Sequence, residues 1–178
     1  EVHDQFRHSS LIRTAFAPHA PYSVSNTPLE RVRVLSDELE IPVHMHVHET
    51  RDEVKQNLIQ YGNRPLQRLE ELGLVSPSLM AVHMTQLEED EIKAFAESGA
   101  HVVHCPESNL KLASGFCPVT SLMQAGVNVA LGTDGAASNN DLNMFSEMRT
   151  TALLAKGVAR DASALPAYDA LRMATING

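Results

Sequence analysis

The chain has 178 residues, 43% of them hydrophobic, and its 22 acidic against 14 basic side chains give a formal charge of -8. With no long run of either sign, that balance fits a soluble globular fold with one sizeable core and excludes a broad nucleic-acid or membrane-surface footprint, while leaving small neutral or cationic ligands open. Cys105 and Cys117 are too few for a disulfide scaffold and are expected as reduced thiols in a cytoplasmic protein; no apolar run approaches the roughly 20 residues of a membrane span, and Glu1-Val2-His3-Asp4 has no signal-peptide character.

Taken in order, Ile12 to Ala17 predicts a short strand ending in Pro18-His19-Ala20-Pro21-Tyr22, a stiff loop in which two prolines fix the path around one histidine. Thr27, Pro28 and Glu30 predict the start of a helix with Val32, Leu35 and Leu39 on its apolar face. Pro42 ends it, and Val43-His44-Met45-His46-Val47-His48-Glu49 follows as an apolar and histidine alternation closed by an acid. In an extended strand His44, His46 and His48 share one face and Val43, Met45 and Val47 the other, which fits the wall of a parallel barrel; a buried strand with satisfied histidines is the plainer alternative.

Arg51 to Tyr61 reads as a helix, and Leu66, Leu69 and Leu72 as a second apolar stripe closed by Gly73. Leu79 to His83 is the next strand, with Leu79, Ala81 and His83 expected on one face. Thr85 and Glu88 suggest a capping box for a helix bearing Ile92 and Phe95. Ala100 to His104 is a strand, Pro118 to Ala125 a short helix, and Val127 to Gly132 the last strand, with Asn128, Ala130, Gly132 and Asp134 on its crowded inner face. Leu142 to Leu154 and Tyr168 to Ala174 are helical patterns separated by a linker around Gly157 to Pro166. Alternation of strand and helix argues for a parallel sheet with helical crossovers.

Each proposed strand ends in a group able to coordinate a metal or move a proton: His19, His46 with Glu49, His83, His104 and Asp134. In a barrel such ends converge on one mouth, and histidines beside carboxylates suit metal-assisted hydrolysis. Structural alternatives stand beside these assignments. His83 could be a strand-end histidine and Asp134 a turn aspartate before Gly135; His19 and Ser138 could stabilise loops; His104, Glu107 and Asn109 could support the site from behind or be plain loop residues. His3, His8 and His101 read as surface residues, and Met144, Met148 and Met173 as core filler.

The segments Ala17-Pro18-His19-Ala20-Pro21-Tyr22, His46-Val47-His48-Glu49-Thr50, Ala81-Val82-His83-Met84, His104-Cys105-Pro106-Glu107-Ser108-Asn109 and Leu131-Gly132-Thr133-Asp134-Gly135-Ala136-Ala137-Ser138-Asn139 resemble the metal-dependent amidohydrolase superfamily, in particular its branch of 5'-methylthioadenosine/S-adenosylhomocysteine deaminases and related chlorohydrolases. The resemblance implies an α/β fold, a TIM-type (β/α)8 barrel of which this chain is the C-terminal half, about strands 4 to 8. It implies one divalent metal, Zn2+ before Fe2+ or Mn2+, with His46 and Asp134 as ligands. Glu49, His83 and Asp134 become the catalytic groups, and His19, Glu49 and Ser138 the substrate-binding ones. His44 and His48 become interior neighbours.

The implied reaction is hydrolytic deamination of an adenosine derivative, a small-molecule purine nucleoside, by a homo-oligomer without nucleic-acid or membrane partners. Guanine deaminase or triazine-type chlorohydrolase activity is the runner-up, and a metal-free barrel fragment without catalysis the alternative of another class. The family's first strand carries two histidines separated by one residue, and nothing before His19 matches it, since His3 and His8 stand apart. With no initiator methionine at Glu1 and no small β domain in view, residues 1–178 are expected to be a partial barrel domain of a longer protein.

Overall fold

The computed structural model describes residues 2–178, arranged as helix α1 (Val2–Phe6), α2 (Asn26–Leu39), strand β1 (Val43–Val47), α3 (Arg51–Tyr61), α4 (Pro65–Glu71), β2 (Leu79–His83), α5 (Glu89–Ser98), β3 (His101–His104), α6 (Pro106–Lys111), α7 (Val119–Gln124), β4 (Val129–Leu131), α8 (Met144–Ala159) and α9 (Ala167–Met173). The four strands form one sheet in the order β1-β2-β3-β4, every pair parallel. Consecutive parallel strands joined by helical crossovers make one side of a barrel wall.

Local sequence explains most boundaries. The Thr50 hydroxyl accepts the Glu53 N–H at 3.1 Å to start α3, and Gly62, at φ 80°, closes it. Pro65 occupies the first turn of α4, where its missing N–H costs nothing. Register places Val43 and Met45 beside Leu79 and Ala81, and Val102 beside Val129, so their buried side chains share the helix-facing side of the sheet. Leu29, Leu69, Phe95, Leu122 and Met173 cover that side and are fully buried, each such apolar side chain contributing about 1.5–3 kcal/mol. No helix among the described residues is long and apolar enough to cross a membrane.

Several local expectations change, among them the loop reading of Glu107 and Asn109, which lie in α6. Ile12 to Ala17 is reduced to a single parallel bridge between Phe16 and Val43, as befits a segment with a partner on one side only. The α2 cap lies at Ser25, not Thr27, so the helix has already begun two residues before Pro28. At α5 the box forms between Glu88 and Glu91, the Glu91 carboxylate accepting the Glu88 N–H at 2.9 Å, because Thr85 is engaged elsewhere. Finally, α8 runs through Gly157 to Ala159, leaving a shorter linker than expected.

Candidate active site

The carboxyl ends of the strands carry the site, and three of them turn through left-handed backbone: His48 at φ 53°, His83 at 77° and Asp134 at 62°. Such angles are uncommon for residues with a side chain and overturn simple alternation. His83, expected on the face of Leu79 and Ala81, is instead swung toward the mouth, where its ring stacks on His46 with centroids 5.4 Å apart. His48, expected inside with His44 and His46, is turned away from them: it is fully buried, and its Nε2 accepts the Leu66 N–H of α4 at 3.1 Å. Burial holds the His48 pKa down at about 4, so it stays neutral and structural.

His46 Nδ1 donates to the His19 carbonyl at 2.7 Å, which fixes the tautomer and leaves Nε2 with a free lone pair. His83 is set the same way: Nδ1 donates to Asn109 Oδ1 at 2.8 Å, and Nε2 is buried without a hydrogen-bond partner. That nitrogen lies 3.8 Å from Glu49 Oε2 and 4.0 Å from Asp134 Oδ2. Burial depresses the His83 pKa, outweighing the two carboxylates that oppose it. The two stacked rings are thus each anchored through Nδ1, as histidines are when they bind a metal through Nε2.

Asp134 Oδ2 accepts the Ser108 hydroxyl at 2.6 Å and Oδ1 the Gly135 N–H at 2.7 Å. Burial alone would raise its pKa, but these bonds, Ser138 and the neighbouring His83 hold it below the ordinary carboxylate range. Gly132 precedes it because an added Cβ would meet Val103 Cγ1 at 3.0 Å and Cys105 Sγ at 3.3 Å. His19 is exposed, its ring 5.2 Å from that of His46. The structure thus brings together His19, His46, Glu49, His83, Asp134 and Ser138. Among the described residues no three histidine, cysteine, aspartate or glutamate side chains converge as a metal cage.

His104 is not at the mouth. Its register with Leu131 turns it to the helix side, where it lines a cavity of about 120 Å³ with Cys117, Thr151 and Ala155. Its Nδ1 and the Thr151 hydroxyl are both buried there without partners. Asn109 joins the site through His83, whereas Glu107 turns away to accept the Thr150 hydroxyl.

Two carboxylates absent from the sequence expectations hold the loops. Glu53 accepts the N–H groups of His48 and Glu49 at 3.0 and 2.6 Å. Glu147, fully buried, accepts the Asn139 amide and, at 3.3 Å, the Glu107 N–H. The Thr50-Arg51-Asp52-Glu53 spacing, a capping-box pattern, could have flagged the first. No local pattern announces the second.

Comparison with known proteins agrees with this geometry. The sequence pattern of the amidohydrolase family matches residues 2–178. A 5-methylthioadenosine/S-adenosylhomocysteine deaminase of Teredinibacter turnerae is 55% identical over 178 residues, all of this chain and 40% of the relative. A 5'-deoxyadenosine deaminase of Methanothermobacter thermautotrophicus is 47% identical over 94% of the chain and 39% of the relative. The crystal structure of an adenosine deaminase from Xanthomonas campestris with bound zinc superimposes with a TM-score of 0.98 at 63% identity, over 99% of this chain and 40% of that one. An atrazine chlorohydrolase from Arthrobacter aurescens complexed with zinc gives a TM-score of 0.92 at 26% identity over the same shares. The chain therefore spans about 40% of the length of these proteins, and its parallel sheet with helical crossovers is consistent with the C-terminal half of a TIM-type barrel.

Proposed function

This chain belongs to the amidohydrolase family, and from that premise we propose that it forms the part of a metal-dependent deaminase that activates water and moves protons on an adenosine derivative, 5'-methylthioadenosine or S-adenosylhomocysteine. The carrying observation is the buried, unpartnered His83 Nε2 held between Glu49 and Asp134 beside His46. Relatives named as deaminases of adenosine derivatives support the substrate class, and the chlorohydrolase, at 26% identity against 63% for the adenosine deaminase, is the weaker parallel.

The donor set fits a zinc ion: the free Nε2 of His46 and the hydrogen-bonded, anionic Asp134 would hold it, with further ligands from the part of the fold that this segment does not span. Iron or manganese would be held by the same atoms. When bound, zinc supplies Lewis acidity that lowers the pKa of water to about 7. Asp134 and His83 Nε2 orient the attacking water and take its proton. Glu49 gives its proton to the ring nitrogen beside the attacked carbon as the C–O bond forms, then takes the proton of the new hydroxyl and hands it to the exocyclic nitrogen, so that the C–N bond breaks with ammonia leaving and the carbonyl of the inosine analogue forming; the water proton held by Asp134 and His83 returns to Glu49. His19 and Ser138 line the approach to this point and bind the purine.

The test is metal content and turnover together. The full polypeptide is expected to hold about one zinc, lost in His46→Ala, and to deaminate methylthioadenosine in preference to guanine or a chlorotriazine. Dechlorination without deamination would overturn the substrate assignment, and turnover undiminished in Glu49→Gln would overturn the mechanism.

A further inference from the structure

Glu49 is the group whose aim the proposed chemistry depends on, yet its carboxylate makes no hydrogen bond to another side chain among the described residues, and its side chain is 21% exposed. Apart from His83 Nε2 at 3.8 Å, its anchorage runs through its backbone. Glu53 grips that backbone on the N–H side, taking the N–H of Glu49 at 2.6 Å on one oxygen and that of His48 at 3.0 Å on the other. Thr85 grips it on the carbonyl side, its hydroxyl donating to the Glu49 oxygen at 2.7 Å. Gln86 Nε2 donates to the same hydroxyl oxygen at 2.7 Å, and of the three carbonyls within reach of the Thr85 proton that of Glu49 is the nearest, those of His48 and Ser114 lying at 3.3 Å.

Helix capping alone does not account for Glu53. In a capping box the third helical glutamate reaches back to the N–H of the cap residue, here Thr50. Glu53 feels the Thr50 N–H but also reaches one and two residues further, past the helix to the strand end, taking the N–H groups of Glu49 and His48. It does so as a carboxylate only 3% exposed and without an ion pair among the described residues, an arrangement that folding alone does not favour. Burial accordingly lifts its pKa to about 7 against the three N–H groups that oppose the rise. The left-handed turn at His48 is a strained conformation that persists only where its surroundings determine it, and Glu53 and Leu66 do so from two sides.

Resting on the deaminase reading above, we infer that Glu53, with Thr85, is a positioning residue for the proton-shuttling carboxylate: together they pin the two peptide groups flanking Glu49 so that its side chain meets the substrate ring nitrogen in one orientation. Glu53→Gln offers a single carbonyl acceptor and turns an NH2 group toward the second N–H, so the grip fails without loss of volume.

In the full zinc-loaded polypeptide, Glu53→Gln is expected to lower kcat about 10- to 100-fold, with KM and zinc content close to the parent's. Added to Glu49→Gln it should cause almost no further loss, because the group it aims is already gone. Thr85→Val should lower kcat about 10-fold, and Thr85→Ser, which keeps the hydroxyl, should restore most of that. The inference is overturned if the Glu53→Gln loss tracks zinc or folded protein, if it is undiminished on the Glu49→Gln background, or if Thr85→Val turns over like the parent. A parent that deaminates no adenosine derivative overturns the deaminase reading and with it this role; an active parent with any of the preceding results overturns the role alone.

Discussion

The ends of β1 and β4 solve one problem with the same residue type by different routes. Each must hold a loop bearing a site carboxylate, Glu49 or Asp134, and each does so around a buried glutamate whose burial raises its pKa to about 7. At β1 the device is local: Glu53 lies four residues after Glu49 and takes its N–H directly. At β4 it is remote: Glu147 on α8 holds Asn139, whose Oδ1 accepts the N–H groups of Asp141 and Leu142, and it also takes the Glu107 N–H at the start of α6. The local clamp fixes two consecutive residues, His48 and Glu49, and the remote one ties a whole loop to two helices.

The contrast can be broken by removing each carboxylate in the full polypeptide. Glu147→Ala is expected to have the largest effect on stability, about 3–4 kcal/mol by denaturant titration, because it leaves the Asn139 amide and the Glu107 N–H unpaired in the interior along with a void. A loss under 1 kcal/mol would mean that the β4 loop does not depend on this residue.

Acidity sharpens the comparison next. An unfolded glutamate ionises near 4.5 and folded Glu53 near 7, so between those values the native state keeps a proton that the unfolded chain has lost. Stability attributable to Glu53 is therefore complete below about pH 4.5, is lost as pH rises toward 7, and is level above it, a change of up to about 3 kcal/mol. Urea midpoints of parent and Glu53→Gln at pH 5 and pH 8 should differ accordingly, the parent falling further on the alkaline side.

A smaller loss is expected from Asn139→Ala, about 1–2 kcal/mol, with Glu147 left short of its amide partner; calorimetry of the single and double variants should show strong non-additivity. Smallest is Thr151→Val beside His104. It removes an unpartnered buried hydroxyl at nearly constant volume, so thermal melts should show stabilisation of up to about 1 kcal/mol, not loss.

How legible these features were follows from how local they are. Leu79–His83 and Arg51–Tyr61 appear in the structure with the bounds read from the sequence, since strand alternation and helix caps depend on neighbouring residues. The ordered motifs carried the family, and His19, His46, Glu49, His83, Asp134 and Ser138 do gather at one mouth. Asn109, left open between support and plain loop, is settled by its bond to His83, and Glu107 and His104 are turned elsewhere.

The sequence by itself determined most of the strand and helix order, though not α1, α6 or the loss of the first strand, together with the apolar face of the sheet and the family, because each rests on short-range periodicity or on motifs in order. Only the tertiary structure decided which strand-end side chains face the site. One left-handed residue reverses the parity of a strand: it brought His83 into the mouth and sent His48 out to α4. Only the tertiary structure, too, revealed Glu147 as a clamp, since its partner Glu107 lies 40 residues away and the two meet only when α6 and α8 pack together.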